Sequence, residues 1–76
     1  MQSRLEYANF FISGIAEVYS VEGDKEFEKG EFHNAMYFYT EGIKVRCKDD
    51  ELNAKLYRNR ASAYKQIGKI CVRFPV

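Results

Sequence analysis

Residues 23–42 read GDKEFEKGEFHNAMYFYTEG and contain small and aromatic residues at regular intervals. The positions that set this spacing are Gly23, Gly30, Ala35, Tyr39 and Gly42. A second, partial copy follows at Tyr57, Ala61, Tyr64 and Gly68, and Gly68 lies 38 residues after Gly30. A repeat of about 34 residues with about four extra residues in the connecting segment accounts for that distance. The spacing predicts one helix–turn–helix repeat and part of a second.

The residues before this stretch extend its first helix toward the N-terminus. Their apolar positions step by three or four, as on one face of a helix: Leu5, Ala8, Ile12, Ile15 and Tyr19. We expect the helix to continue to about Lys29, with Gly23 placed where a second helix approaches closely. Gly30 suits the left-handed conformation that ends a helix. The turn is therefore expected at residues 29–31.

Two further helices are predicted after the turn. The second runs from Phe32 or His33 to Cys47, and its buried stripe is Ala35, Tyr39, Gly42 and Ile43. The third runs from about Glu51 to Ile67, with Asp49 or Asp50 as its N-cap and with Gly68 at its end. Its apolar positions are Leu52, Leu56, Ala63, Tyr64 and Ile67.

The predicted fold is all-α, an antiparallel helical hairpin plus a third helix. We divide the chain into an N-terminal helical extension (1–18), a first repeat (19–49), the first helix of a second, incomplete repeat (50–69) and an irregular tail (70–76). The tail is assigned from Pro75 and the β-rich run Ile70 to Phe74. It leaves no fourth helix, so we expect the chain to be a shortened product or a fragment of a longer repeat protein.

The third helix lacks the neighbour that a repeat of this kind packs against. Its apolar side, including Leu56, Ala63 and Tyr64, is therefore expected to be partly open. Three outcomes are consistent with this: docking of the tail 70–76 onto that side, self-association through it, or fraying of the third helix.

Composition excludes several classes of function. Twelve basic and eleven acidic residues give a net charge of +1, too little basic excess for nucleic acid to be the main partner. No apolar run approaches the roughly 18 residues that span a membrane. We therefore expect a soluble protein located in the cytoplasm, with the nucleus as an additional location.

The sequence also contains no pattern of catalytic or metal-binding residues. Cys47 and Cys71 show no CxxC spacing, and His33 is the single histidine, so no zinc site, cofactor or enzymatic activity is expected. Two reduced thiols are favoured, and one disulfide between them remains the alternative.

Four segments carry a resemblance to the tetratricopeptide repeat: Glu22-Gly23-Asp24-Lys25, Gly30-Glu31-Phe32 with Ala35, Tyr39-Thr40-Glu41-Gly42, and the run from Leu52 to Ala61. More narrowly, Tyr39 to Ala63 resembles the co-chaperone family of tetratricopeptide repeat protein 4, with the myosin-chaperone family as second choice. The resemblance covers about Tyr19 to Lys69. It implies a right-handed superhelical repeat fragment.

In the resembled co-chaperones, the first helices of the repeats line a concave groove that binds chaperone C-terminal tails ending in Glu-Glu-Val-Asp. A clamp of Lys, Asn, Asn, Lys and Arg holds the last residue. Here Asn59 matches the second-repeat Asn, whereas Ser20 and Asp24 replace the first Lys and Asn. The remaining clamp residues belong to a third repeat that this chain does not contain. We expect Asp24 to repel the ligand carboxylate and to lie desolvated without a partner.

The expected partners are proteins or peptides, including cytosolic heat-shock chaperones, and the predicted peptide-binding residues are Asn59, Arg58, Lys55 and Ser62. Exposed charges of this kind contribute well under about 1 kcal/mol per pair, so binding should be weak. The alternative is a structural or oligomerisation role through the exposed third-helix face.

Overall fold

Three α-helices make up the part of the chain that the computed structural model describes, residues 4–72. They are α1 (Arg4–Glu28), α2 (Phe32–Val45) and α3 (Asp50–Val72). No strand occurs within that range, and the all-α prediction is confirmed. None of the helices described is long and apolar enough to cross a membrane.

The turn between α1 and α2 closes the antiparallel hairpin. Gly30 has a φ of +82°, which is costly for residues with a Cβ. Its N–H donates to the carbonyl of Phe27 at 3.0 Å, and the N–H of Glu31 donates to the carbonyl of Glu26 at 2.9 Å. This pair of bonds is the Schellman arrangement that satisfies the last carbonyls of a helix. The turn at residues 29–31 is therefore confirmed.

The two helices of the hairpin approach closely because small residues lie between them. A Cβ added to Gly23 would lie 2.5 Å from Cε1 of Tyr39, which is inside van der Waals contact. A Cβ added to Gly42 would lie 2.9 Å from Cδ2 of Leu56 and 3.3 Å from Cβ of Tyr19. Gly42 thus lets α2 contact both α1 and α3.

The third helix begins at a side-chain cap. The N–H of Leu52 donates to Oδ1 of Asp49 at 3.1 Å, so Asp49 is the N-cap, one of the two residues predicted for that role. Asn53 secures the same connection, since its Nδ2 donates to the carbonyl of Cys47 at 2.8 Å. The left-handed Arg46, with a φ of 55°, ends α2. The second helix thus stops two residues before the predicted Cys47.

Helix α3 corrects two predictions. It does not end at Gly68 but continues to Val72, so residues 70–72 of the predicted tail are helical, while residues 73–76 lie outside the described range. A glycine inside a helix costs only about 1 kcal/mol relative to alanine, and each residue added to an existing helix gains a hydrogen bond.

The second correction concerns burial of α3. Leu56 and Ala63 are completely buried, and of the three residues expected to be open only Tyr64 is, at 68% exposure. Leu56 and Ala63 therefore pack onto the hairpin, and the open side of α3 is the one that carries Tyr64.

The core is a narrow seam along the three helices. Its buried apolar members are Ala16, Ala35, Tyr39, Cys47, Leu52, Leu56 and Ala63. The described chain measures 62 × 18 × 14 Å. Each of the three helices contacts the other two, and the narrow cross-section leaves much of each helix surface open to partners.

Candidate functional site

Side chains from all three helices meet at the carboxylate of Asp24. The hydroxyl of Tyr39, on α2, donates to Oδ1 of Asp24 at 2.6 Å. The amide of Asn59, on α3, donates to the same oxygen at 3.2 Å. Asp24 lies in the second half of α1 and is half-buried. One carboxylate oxygen thus connects residues separated by 15 and 35 positions in the chain.

These contacts correct the expectation that Asp24 lacks a partner. Two donors satisfy the carboxylate, and hydrogen bonds to a charged group are stronger than neutral ones. Asp24 is therefore a hydrogen-bonded part of the structure and not a bare charge. We call the surface where Asp24 on α1 meets Asn59 on α3 the α1–α3 face. Its second oxygen, Oδ2, has no protein donor in the described part of the chain.

The environment of Tyr39 keeps its phenol protonated. Burial, and next the hydrogen bond to the Asp24 carboxylate, raise the pKa of Tyr39 well above its usual 10, since ionisation would place two negative charges in contact. The hydroxyl is therefore a permanent donor at neutral pH. The sequence indicated Tyr39 as a core residue, and its ring is indeed buried. Its hydroxyl, however, belongs to the candidate site, because it donates to Asp24. The signal was the presence of tyrosine at a core position, because a buried phenol needs a partner.

Ser20 lies one turn before Asp24 and is completely buried. Its Oγ has no hydrogen-bond partner in the described structure. In the resembled clamp this position provides a cationic donor that reaches the ligand. A short, fully buried hydroxyl leaves the α1 side of the face without that charge.

The predicted binding residues on α3 occupy different positions around the helix. Lys55, Asn59 and Ser62 are spaced by four and three residues and lie along one stripe. Arg58 is about 100° away from Asn59 around the axis. Arg58 and Ser62 are exposed, whereas Lys55 and Asn59 are half-buried. The structure therefore groups three of the four residues and places Arg58 at the edge of the group.

The two helices of this face carry opposite charges. On α1, Glu17 and Glu28 are exposed and fall on the same side of the helix as Asp24. On α3, Lys55, Arg58 and Lys65 provide positive charge. The face is therefore acidic along α1 and basic along α3, with the bond between Asp24 and Asn59 crossing between them.

Comparison with known proteins shows what the chain is related to. It is 43% identical over 53 residues to human tetratricopeptide repeat protein 4, a match that covers 70% of this chain and 14% of the human protein. It is 40% identical over 55 residues to the mouse protein of the same name. Over about 70% of its length the chain is similar to tetratricopeptide-repeat proteins. The resemblance inferred from the sequence is confirmed.

A yeast relative, named Hsp70/Hsp90 co-chaperone CNS1, is 35% identical to this chain over 48 residues, which are 63% of the chain and 12% of the yeast protein. The chain thus spans about one seventh of the length of the curated relatives it matches. No protein-family model matches it. No solved structure matches it either.

The thiol of Cys47 is buried and free. Its Sγ lies 3.4 Å from Oδ1 of Asn53, next to the N-terminus of α3. The side chain of Cys71 lies outside the described part. Within that part, no group of three metal-ligating side chains is found.

Proposed function

We propose that this chain is a protein–protein interaction module associated with cytosolic chaperones, with no catalytic role. The observation that carries the proposal is the amide of Asn59, which donates to a carboxylate oxygen at 3.2 Å on the α1–α3 face. An Asn that binds a carboxylate inside the molecule has the geometry to bind one from a peptide. The relation to a protein named Hsp70/Hsp90 co-chaperone supports the class of partner.

The ligand we propose is an acidic C-terminal peptide of the Glu-Glu-Val-Asp type. Its terminal carboxylate would accept from Asn59, and its side chains would lie near Lys55, Arg58 and Ser62. Carboxylates favour such charge-assisted donors. Both Lys55 and Arg58 remain accessible to solvent.

Asp24 limits this interaction. Its carboxylate already occupies the Asn59 amide and repels a second carboxylate brought to the same donor. The exposed basic residues add less than about 1 kcal/mol per pair. We therefore expect weak binding, with a Kd of about 100 μM or higher.

The test is a nitrogen–proton correlation spectrum recorded while a peptide ending in Glu-Glu-Val-Asp is added. We expect saturable shifts centred on Asn59 and Arg58. Asp24→Asn should tighten binding by about tenfold or more, because it removes the repelling charge and keeps an acceptor for Tyr39. Glu22→Gln is the matched control, since it removes the same charge from the opposite side of the same helix, about 200° around the axis from Asp24.

Two results would count against the proposal. One is a set of spectra in which neither the parent chain nor Asp24→Asn responds at Asn59. The other is an equal gain from Glu22→Gln, which would mean that overall charge and not this site controls the binding.

An assembly role is the second candidate, and the open side of α3 favours it. Tyr57 and Tyr64 are 53% and 68% exposed and, with Met36, Arg60 and Ala61, line a shallow apolar groove. Arg60 holds one wall in place, because its guanidinium lies 5.3 Å from the ring centre of Tyr57 and donates to Oγ1 of Thr40 at 3.4 Å. A helix from another protein could pack there, and Tyr64→Glu should abolish such packing while leaving the core unchanged.

A further inference from the structure

Helix α1 presents an apolar stripe on the side opposite its buried residues. Its buried side carries Ala16, Ser20 and Gly23. The opposite side exposes 82% of Phe10, 63% of Phe11, 59% of Val18, 41% of Val21 and 38% of Ile15. Four of the five stripe residues, together with Gly14, line an open apolar pocket: Phe10, Phe11, Ile15 and Val18. The proposed peptide site does not use this surface.

The centre of the stripe has the spacing of a coiled-coil seam. Phe11, Gly14, Val18 and Val21 are separated by three, four and three residues. This alternation keeps one face turned toward a partner helix of the same kind. A Cβ added to Gly14 would meet nothing within 4 Å, so the middle of the seam is an open hole.

We propose that α1 pairs with α1 of a second copy of this chain, antiparallel and about a two-fold axis between Gly14 and Ile15. A two-fold axis uses the same patch on both copies and leaves no patch unmatched. Antiparallel pairing places Ile15 of one copy against the hole at Gly14 of the other. It also places Phe11 against Val18 at both ends of the contact, so large residues face smaller ones.

Parallel pairing fits the same stripe less well. It would place Phe11 against Phe11 and leave Gly14 facing Gly14 across an unfilled gap, which forfeits packing contacts. It would also align the two helix dipoles, whereas the antiparallel arrangement opposes them favourably.

The exposed area suits a weak dimer. A whole aromatic side chain can bury about 150–250 Å² of accessible surface. With its aliphatic residues, the stripe can bury roughly 500 Å² per copy, or about 1,000 Å² over both copies. This total lies near the lower limit for a specific interface. A dissociation constant in the micromolar range is therefore expected.

A lipid surface fits the stripe poorly. Interfacial helices carry Lys and Arg beside their apolar face. The described exposed and half-buried residues of α1 beyond Phe11 include five acidic side chains, Glu17, Glu22, Asp24, Glu26 and Glu28, against the single cation Lys25. Anionic headgroups would repel such a helix.

The test is sedimentation velocity of the full 76-residue chain from about 1 μM to about 1 mM. We expect a reversible monomer–dimer equilibrium that Val18→Glu and Phe11→Lys each abolish. An equimolar mixture of these two variants should dimerise again, because antiparallel pairing brings the new ammonium group of one variant to the new carboxylate of the other. Circular dichroism confirms that each variant is folded.

The control is Tyr64→Glu, which alters an exposed aromatic residue on α3 and should leave the dimer unchanged. A chain that stays monomeric over the whole range overturns the proposal, as does a dimer lost in Tyr64→Glu but kept in Val18→Glu. Failure of the mixture to dimerise overturns the antiparallel arrangement. A monomer that instead sediments with phosphatidylserine vesicles would show that lipid occupies the stripe.

Discussion

Gly23 and Tyr39 form the tightest contact between α1 and α2. The ring of Tyr39 is buried, and its hydroxyl is anchored at 2.6 Å from the Asp24 carboxylate. The ring therefore has little freedom to move away from α1. The absence of a side chain at residue 23 is what allows the ring to lie this close to the helix.

Gly23→Ala should destabilise the chain despite the better helix propensity of alanine. The propensity gain is about 1 kcal/mol, whereas overpacking of this kind costs about 1–3 kcal/mol. The added Cβ would come within 3.0 Å of three ring atoms. We expect a net loss of about 1 kcal/mol in the free energy of unfolding, measured in urea.

Gly68→Ala is the matched control, because it makes the same change in α3 where a Cβ meets nothing within 4 Å. It should stabilise the chain by up to about 1 kcal/mol. Stabilisation of equal size by both variants would mean that the Tyr39 ring moves freely, contrary to its anchored position.

Single residues were predicted with uneven success. Gly23, Gly30 and Gly42 were predicted because each lacks a Cβ at a position where repeat spacing needs a turn or a close approach. The contact between Asp24 and Asn59 was not predicted. A donor and an acceptor 35 residues apart leave no periodic signal in the sequence.

At the level of helices, the boundaries follow local chemistry where a cap is present. Asp49 accepts the N–H of Leu52 at 3.1 Å, and Gly30 adopts the left-handed conformation. Both features depend on residue type within a few positions, so sequence alone could place them. The end of α3 lacks such a feature at Gly68, and the helix continues past it.

Asp49→Ala should cost about 1 kcal/mol of stability, since it removes the acceptor at the first turn of α3. The measurement is urea unfolding at low and at high salt. Asp50→Ala changes the neighbouring residue, which affects only the helix dipole and should cost about 0.3 kcal/mol. Salt should remove the effect of Asp50→Ala and leave that of Asp49→Ala. Equal responses of the two variants to salt would contradict the role of Asp49 as a cap.

The described part of the molecule is elongated, and its helices differ in length. Helix α1 has 25 residues and α2 has 14, which corresponds to about 37 Å and about 21 Å. The first turns of α1 therefore extend beyond the end of α2. This overhang is also where the apolar stripe begins.

Hydrogen exchange should show the consequence of this difference in length. Amides of residues 8–11 should exchange at least about tenfold faster than those of residues 19–23, because fewer packed neighbours oppose local opening. Mass-spectrometric exchange on the dilute chain measures this difference. Equal protection along α1 in the dilute chain would mean that the overhang packs against another part of the protein.

The order of the helices, the turn and the close approaches follow from sequence patterns of short range, because helix periodicity, caps and glycine conformations depend on neighbours within a few residues. Two features depend on how the helices pack. One is the Asp24 carboxylate, which is shared by Tyr39 and Asn59. The other is the side of α3 that stays open, with Leu56 buried and Tyr64 exposed. Both require distant segments to meet at a set angle, and no local propensity encodes that angle.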